Sequence, residues 1–313
     1  MKKALLLSLL LVLLISCSEP IRQDRLVMGT NCSVSVFSKS DEKEIQSCFE
    51  ILSEIEKRIS AKLVDSEIGE INSAAGKNSV KVSRETFDLV KRSLELKELT
   101  EGAFNPLLGK ITSLWNIGSG DEIVPDKRTI DNLVHHLEIG AIALDEDNLT
   151  VYLSDENTAL DLGAIGKGYA SDVVSSYLKE KGIKKALINL GGNVYAIGKK
   201  GKDKNWKIGI RNPEGNGLFT TVEIDEGAVI TSGSYERYFI SDGVRYHHIM
   251  DPSTVNPANN DLVSVTIIGR DACLADALST AVFVLGEEKG IKLLEKLGIR
   301  GILLTEDGRT VNV

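Results

Sequence analysis

Asp161-Leu162-Gly163-Ala164-Ile165-Gly166-Lys167-Gly168-Tyr169 joins a short apolar stretch, Ala159, Leu160 and Leu162, to a segment with helical spacing that begins at Ala170 and ends near Lys181. Glycines at 163, 166 and 168 let the main chain approach a ligand closely, and Lys167 adds a cation where a helix start leaves N–H groups unpaired. These are the parts of a phosphate seat fed by an expected strand. It is neither a Walker A loop nor a dinucleotide fingerprint, because G-x-x-x-x-G-K-[ST] and G-x-G-x-x-G are both absent from it. Taken alone, a glycine-rich strand-to-helix turn is equally well ordinary turn chemistry.

Outward from this turn the pattern is mixed. Apolar residues at 45, 49, 51, 52, 55 and 59 predict an amphipathic helix over 41–59, after a strand at 32–37. Asp65 or Ser66 is placed to cap a short helix carrying Ile68 and Ile71, and Ser83 begins another over 85–100. Glu101 to Pro106 breaks that helix and opens an extended run to Trp115. Its backbone at 103–105 either lines a pocket for a planar ring or simply carries Phe104 into the core. A helix over 126–137 carries His135 and His136 on a polar face without a role. A strand at 185–188 leads to Asn189-Leu190-Gly191-Gly192-Asn193, and alternation through 206–230 predicts antiparallel strands joined by a turn at 213–217.

Two further stretches bear chemistry. Thr231 to Tyr238 offers hydroxyls and Arg237, followed by Arg245 to Pro252 with the pair His247-His248, of which one faces a site if the other faces away. Histidine titrates near neutrality, so His248 is the candidate base for an incoming hydroxyl. In Ala275 to Ala281, Asp276 and Thr280 stand four residues apart on one helical face. That pair suits Mg²⁺, a hard cation that takes few protein oxygens; equally, Asp276 caps the helix and Thr280 bonds back to its own turn.

The chain opens with Met1-Lys2-Lys3, an apolar run to Ile15, then Ser16-Cys17, a secretory leader too short to span a bilayer comfortably. Leu14-Ile15-Ser16-Cys17 matches the bacterial lipobox, so residues 1–16 are expected to be removed and Cys17 lipidated, with 17–25 as a polar tether and 26–313 as the folded domain. Cleavage removes two lysines, leaving 35 basic against 45 acidic residues, and a nucleic-acid partner is excluded for want of a basic stripe. Cys32, Cys48 and Cys273 remain, an odd number without metal spacing, expected as buried free thiols with one disulfide as the alternative.

Eight motifs in register resemble those of the FAD:protein FMN transferase family: Met28-Gly29-Thr30, D-S-E-I-x-x-I-N at 65–72, G-A-F-N-P at 102–106, the central turn at 161–169, N-L-G-G-N at 189–193, T-S-G-S-Y-E-R-Y at 231–238, H-I-M-D-P at 248–252 and A-D-A-L-S-T-A at 275–281. The resemblance implies a two-lobed α+β enzyme of antiparallel sheets flanked by helices, T-fold-like. It further implies an envelope lipoprotein on the inner membrane, facing the periplasm or exterior, that uses Mg²⁺ to move FMN from FAD onto a threonine of acceptor flavoproteins in membrane redox complexes, releasing AMP. Carried over by position, the Ala164 carbonyl, Asp276 and Thr280 would hold the metal. Met28, Lys62, Ala103, Phe104, Asn105, Asp161, Lys167 and Ile249 would contact FAD, while His248 and Lys167 would be catalytic. Three positions depart from the pattern: Lys62 replaces a common aromatic ring, Val255 a glycine and Asn105 an aspartate. Loss of that ring implies weaker FAD binding and some FAD hydrolysis to FMN and AMP. A flavin-storage lipoprotein without turnover, or a pure FAD pyrophosphatase, would share most of these residues.

Overall fold

The computed structural model describes residues 19–313 apart from 135, 137–140, 202–203 and 214. The leader, Cys17 and His135 lie outside the described residues. Strands β1 (Ile21–Val27) and β2 (Thr30–Val36) form a hairpin, followed by helices α1 (Glu42–Ile59) and α2 (Glu67–Ser73). Next come β3 (Val80–Lys81), α3 (Arg84–Leu99), α4 (Gly109–Trp115), α5 (Lys127–Val134), β4 (Ile142–Asp145) and β5 (Thr150–Leu153). After α6 (Gly166–Glu180) run β6 (Ala186–Leu190), β7 (Asn193–Ile197), β8 (Trp206–Arg211), β9 (Leu218–Ile224) and β10 (Gly227–Gly233). An excursion holds β11 (Tyr238–Ser241), β12 (Val244–His247), β13 (Met250–Asp251) and β14 (Asn256–Pro257). The chain closes with β15 (Leu262–Gly269), α7 (Ala272–Leu297), β16 (Arg300–Thr305) and β17 (Thr310–Asn312).

The main sheet has eight strands in the order β1-β2-β6-β7-β10-β15-β16-β17, every neighbour antiparallel. Side chains alternate between its faces with period two, so both faces are buried by design of the sequence. Ala228 and Ile230 join the main core against α1, α6 and α7, whereas Val229 between them turns to the β8–β9 hairpin with Trp206 and Ile208. The main core continues without a break to α2, α3 and the three-stranded sheet β3-β5-β4, through Ile68, Phe87 and Val151. Each such fully buried side chain contributes about 1.5–3 kcal/mol.

Register decides what gathers where. Cys32 pairs with Leu190, Leu190 with Asn193, Val229 with Val194 and Gly233 with Ser264. The Met28-Gly29 turn, the Gly191-Gly192 turn, the end of β10 and the start of β15 therefore share one end of the sheet.

Several local expectations change. The tether gives way at Ile21, because Ile21 to Val27 pairs residue for residue with β2, which ties this segment to the sheet. No strand forms at 159–162; Ala159 makes a lone bridge to Leu108, and the run before α6 is held by side chains instead. Residues 109–115 are helical rather than extended, the helix closing on Asn116 in a left-handed conformation. His136 lies beyond α5, in a turn, and pairs with Asp155 rather than standing on a polar helix face. Cys32, Cys48 and Cys273 are buried free thiols, and burial pushes Cys32 up to about 11 and Cys48 up to about 12, far from a reactive range.

Candidate active site

The glycine turn meets α7 at the shared end of the sheet. Ile165, at the head of α6, has no capping side chain, and the acceptor comes from another helix: Asp276 Oδ2 takes the Gly168 N–H at 2.8 Å. Its other oxygen, Oδ1, accepts from Asn193 Nδ2 at 3.0 Å. A methyl group at 168 would lie 2.2 Å from the Ala272 carbonyl oxygen and 2.7 Å from Asp276 Cβ, so only glycine lets the two helices touch. Burial pushes the Asp276 carboxyl up, opposed first by the Lys167 charge and then by these hydrogen bonds. With the Lys167 backbone N–H also acting on it, the carboxylate still keeps an unused lone pair.

One turn along α7, Thr280 Oγ1 lies 3.3 Å from Ser232 Oγ, which is 2.7 Å from Ser279 Oγ. Asp276, on which Lys167 acts, and Thr280 thus present oxygens one turn apart on α7, whose cap is Asp271 rather than Asp276. Among the described residues no cluster of three His, Cys, Asp or Glu side chains forms a metal cage. An ion here would draw on one carboxylate, a hydroxyl and main-chain oxygen such as that of Ala164, a hard set matching Mg²⁺.

The remaining candidates divide. Asp161 is half-buried, its Oδ1 accepting from Gly163 N at 2.8 Å and its Oδ2 from Thr112 Oγ1 at 2.7 Å, which fixes the entry to the turn. Its N–H donates to Pro106 O at 2.8 Å, so the 103–106 segment runs directly beside the turn. Ala103, Phe104 and Asn105 are buried, Phe104 at 1% exposure, so that ring belongs to the core and only its backbone can meet a ligand. Asn105 Oδ1 accepts from Leu107 N at 3.0 Å. Met28 is half-buried at φ 55°, in the β1–β2 turn. Lys62 is exposed in the turn before α2, where Ser66 is the cap and accepts from Gly69 N at 2.8 Å.

The histidine pair splits as alternation predicts. His247 is buried, with Nδ1 accepting from Ile249 N at 3.2 Å, so Nε2 carries the proton it donates to Ala258 O at 2.9 Å. His248 Nδ1 sits 3.3 Å from Arg237 O; a carbonyl only accepts, so Nδ1 holds the proton and Nε2 is left as a base. His248 is packed deep among protein atoms while one edge stays open to solvent. Burial, then the Arg237 and Lys167 charges, push it down to about 4. Lys167 is therefore felt by both His248 and Asp276. Ile249 is buried, its carbonyl accepting from Ala258 N at 2.9 Å. Val255 keeps the left-handed backbone of the glycine it replaces, at φ 59°, fully buried with its carbonyl on Trp115 Nε1 at 3.0 Å.

Sequence reasoning did not single out Asn193, Ser232, Thr112 or Asn72. Asn72 exchanges two hydrogen bonds with the Leu160 main chain, at 2.7 and 2.9 Å, and so holds the strandless run before α6. Asn72, Asn193 and Ser232 fall within motifs and Thr112 outside them, yet short polar residues signal nothing until their partners are known.

This helix-backed antiparallel sheet, one end of which gathers a buried carboxylate, a lysine and an open histidine, is the fold of solved flavin transferases. The ApbE family model matches residues 28–303, and this chain belongs to the ApbE family. It is 39% identical over 306 residues to the FAD:protein FMN transferase of Treponema pallidum, covering 91% of this chain and 84% of that one. Against that of Klebsiella pneumoniae the identity is 36% over 284 residues, covering 90% and 88%. The crystal structure of the ApbE protein of Thermotoga maritima matches with a TM-score of 0.87 at 34% identity, covering 94% of this chain and 97% of that one. The flavin transferase ApbE of Vibrio cholerae matches with a TM-score of 0.81 at 29% identity, covering 95% and 97%. The expected family and α+β fold are borne out.

Proposed function

We propose that this chain transfers the FMN half of FAD to a threonine hydroxyl of an acceptor flavoprotein and releases AMP. The observation that carries the reading is the junction itself: a fully buried carboxylate, Asp276, bonded to the first turn of the glycine-walled helix whose Lys167 also acts on His248. Its relatives' names, FAD:protein FMN transferase, point the same way.

Asp276, Thr280 and the Ala164 carbonyl would hold Mg²⁺, which when bound supplies charge neutralisation at the pyrophosphate. The chain's own groups do the rest. Gly163, exposed in the turn, leaves room for the pyrophosphate beside the start of α6, and Lys167 offsets negative charge on its oxygens. His248 Nε2 takes the proton from the threonine hydroxyl as its oxygen bonds to the FMN phosphorus. The bond from that phosphorus to the oxygen bridging toward AMP breaks, and AMP leaves with the electron pair. Met28, Ala103, Phe104, Asn105, Asp161, Ile249 and Lys62 form the rest of the FAD surface, by backbone at Phe104. With Lys62 in place of an aromatic ring, water competes with the acceptor and some FAD is hydrolysed. Restoring the ring by Lys62→Tyr should slow AMP release without acceptor, and an unchanged rate would remove this part of the reading.

The acceptors in this reading are flavoproteins of membrane redox complexes, carrying the threonine in a short Ser/Thr-containing motif. Cys17 is the lipidation site and the protein sits on the envelope face of the inner membrane; Cys17→Ala should move it from the detergent to the aqueous phase on partition. Incubation with FAD, Mg²⁺ and an apo acceptor should give flavin fluorescence in the acceptor band of a denaturing gel, absent when its threonine is replaced by alanine. AMP without labelled protein would mean a pyrophosphatase, and stable stoichiometric FAD a storage protein.

A further inference from the structure

Helices α6 and α7 cap each other. Asp276 of α7 accepts from Gly168 N in the first turn of α6, as described. In return Asp172, one turn further along α6, accepts from Ala272 N at 3.0 Å and Cys273 N at 2.8 Å, the first two residues of α7. The α7 cap residue, Asp271, takes the next free donor, Leu274 N, at 2.8 Å. Two carboxylates running in opposite directions between two helix starts fix both their separation and their register, and Gly168 sets that separation at contact.

We propose that Asp172 is a positioning residue for the metal site: it clamps α7 so that Asp276 and Thr280 meet the turn carrying Ala164 and Lys167. This rests on the metal reading given above. Asp172 acts at one remove from the site, each of its oxygens bonded to the α7 backbone one turn before Asp276. Burial pushes its carboxyl up to about 6 against the two N–H bonds. Asp271 and Lys179 act on it by charge, and Asp88, Arg92, Arg270 and Cys273 line the same cleft.

The test is Mn²⁺ binding at saturating FAD, read as loss of the free-ion paramagnetic resonance signal, together with Tm at pH 8, on the full mature protein. Asp172→Ala should weaken Mn²⁺ binding about tenfold, the scale seen when outer partners of metal ligands are removed. Asp172→Asn, which keeps one acceptor and the shape, should lie between Asp172→Ala and the parent while its Tm is equal or higher. Weaker metal binding with undiminished stability is the signature of positioning. Mn²⁺ affinity within twofold of the parent in folded Asp172→Asn and Asp172→Ala would overturn the inference, as would a loss of affinity in Asp172→Asn that only accompanies a lowered Tm. A parent protein that binds no Mn²⁺ would instead overturn the metal reading.

Discussion

The α6–α7 junction and the excursion that carries His248 are built on opposite plans. At the junction both partners are long helices packed into the main core, and every named oxygen of Asp276 and Asp172 has a main-chain or amide donor. The excursion is a two-stranded hairpin, β11–β12, with Tyr238, Ile240 and Val244 exposed, tied down through Phe239, Tyr246 and Trp115. In the proposed reading, charge is thus handled in the main core, and the proton beside a surface that a protein substrate can reach. The contrast follows from electrostatics: a buried carboxylate must be held by fixed dipoles, whereas a base needs only one free nitrogen and access.

Removing the junction's charge should have the largest effect. Asp276→Ala should lower FMN transfer and AMP release by at least about a thousandfold, the scale of a lost electrostatic centre. Asp276→Asn should lose activity similarly yet match or exceed the parent in Tm, since burial disfavours the charged form; a sharply lower Tm would show that the carboxylate serves the fold instead.

Next comes the excursion. His248→Ala should slow transfer to protein by about 10²–10⁴-fold while FAD affinity holds, measured by flavin fluorescence quenching. The acid limb of transfer should fall near pH 4 rather than 6.5, because His248 stays neutral down to about 4. The stability sign agrees: its folded pKa lies below its unfolded one, so its contribution is complete above about 6.5 and is lost as pH falls toward about 4. A limb near 6.5 would move the proton acceptor elsewhere.

Packing changes rank last. Gly168→Ala should cost about 1–3 kcal/mol in urea unfolding, since its methyl group meets main-chain oxygen that cannot turn aside. Val255→Gly exchanges relief of about 1–2 kcal/mol of left-handed strain for loss of about 1.5–3 kcal/mol of burial. A net loss of about 1 kcal/mol, with FAD affinity unchanged, would keep this loop outside the site's energetics.

How much of this was legible depends on the range of the force concerned. Caps at Ser66 and Ser83, helix α1, the β8–β9 pair and the split of His247 from His248 follow from neighbours within one turn or one strand. The missed features lie at long range. Residues 159–162 carry apolar side chains like a strand, but Asn72, 88 positions away, supplies hydrogen bonds that a ladder would otherwise provide. Residues 109–115 look extended after Pro106 and are helical because Ile111 and Trp115 bury one face against Val255 and Met250.

By itself the sequence determined the two periodicities, the glycine turn, the histidine pair and the carboxylate and hydroxyl four residues apart, since each is a matter of local geometry. Only the tertiary structure decided that Asp276 caps α6, that Asn193 and Ser232 stand behind the oxygens of α7 and that Lys167 is felt by both halves of the site. The Gly168–Asp276 hydrogen bond joins residues 108 positions apart. Their partners are chosen by strand register and by the closeness of two helices, which no local pattern encodes.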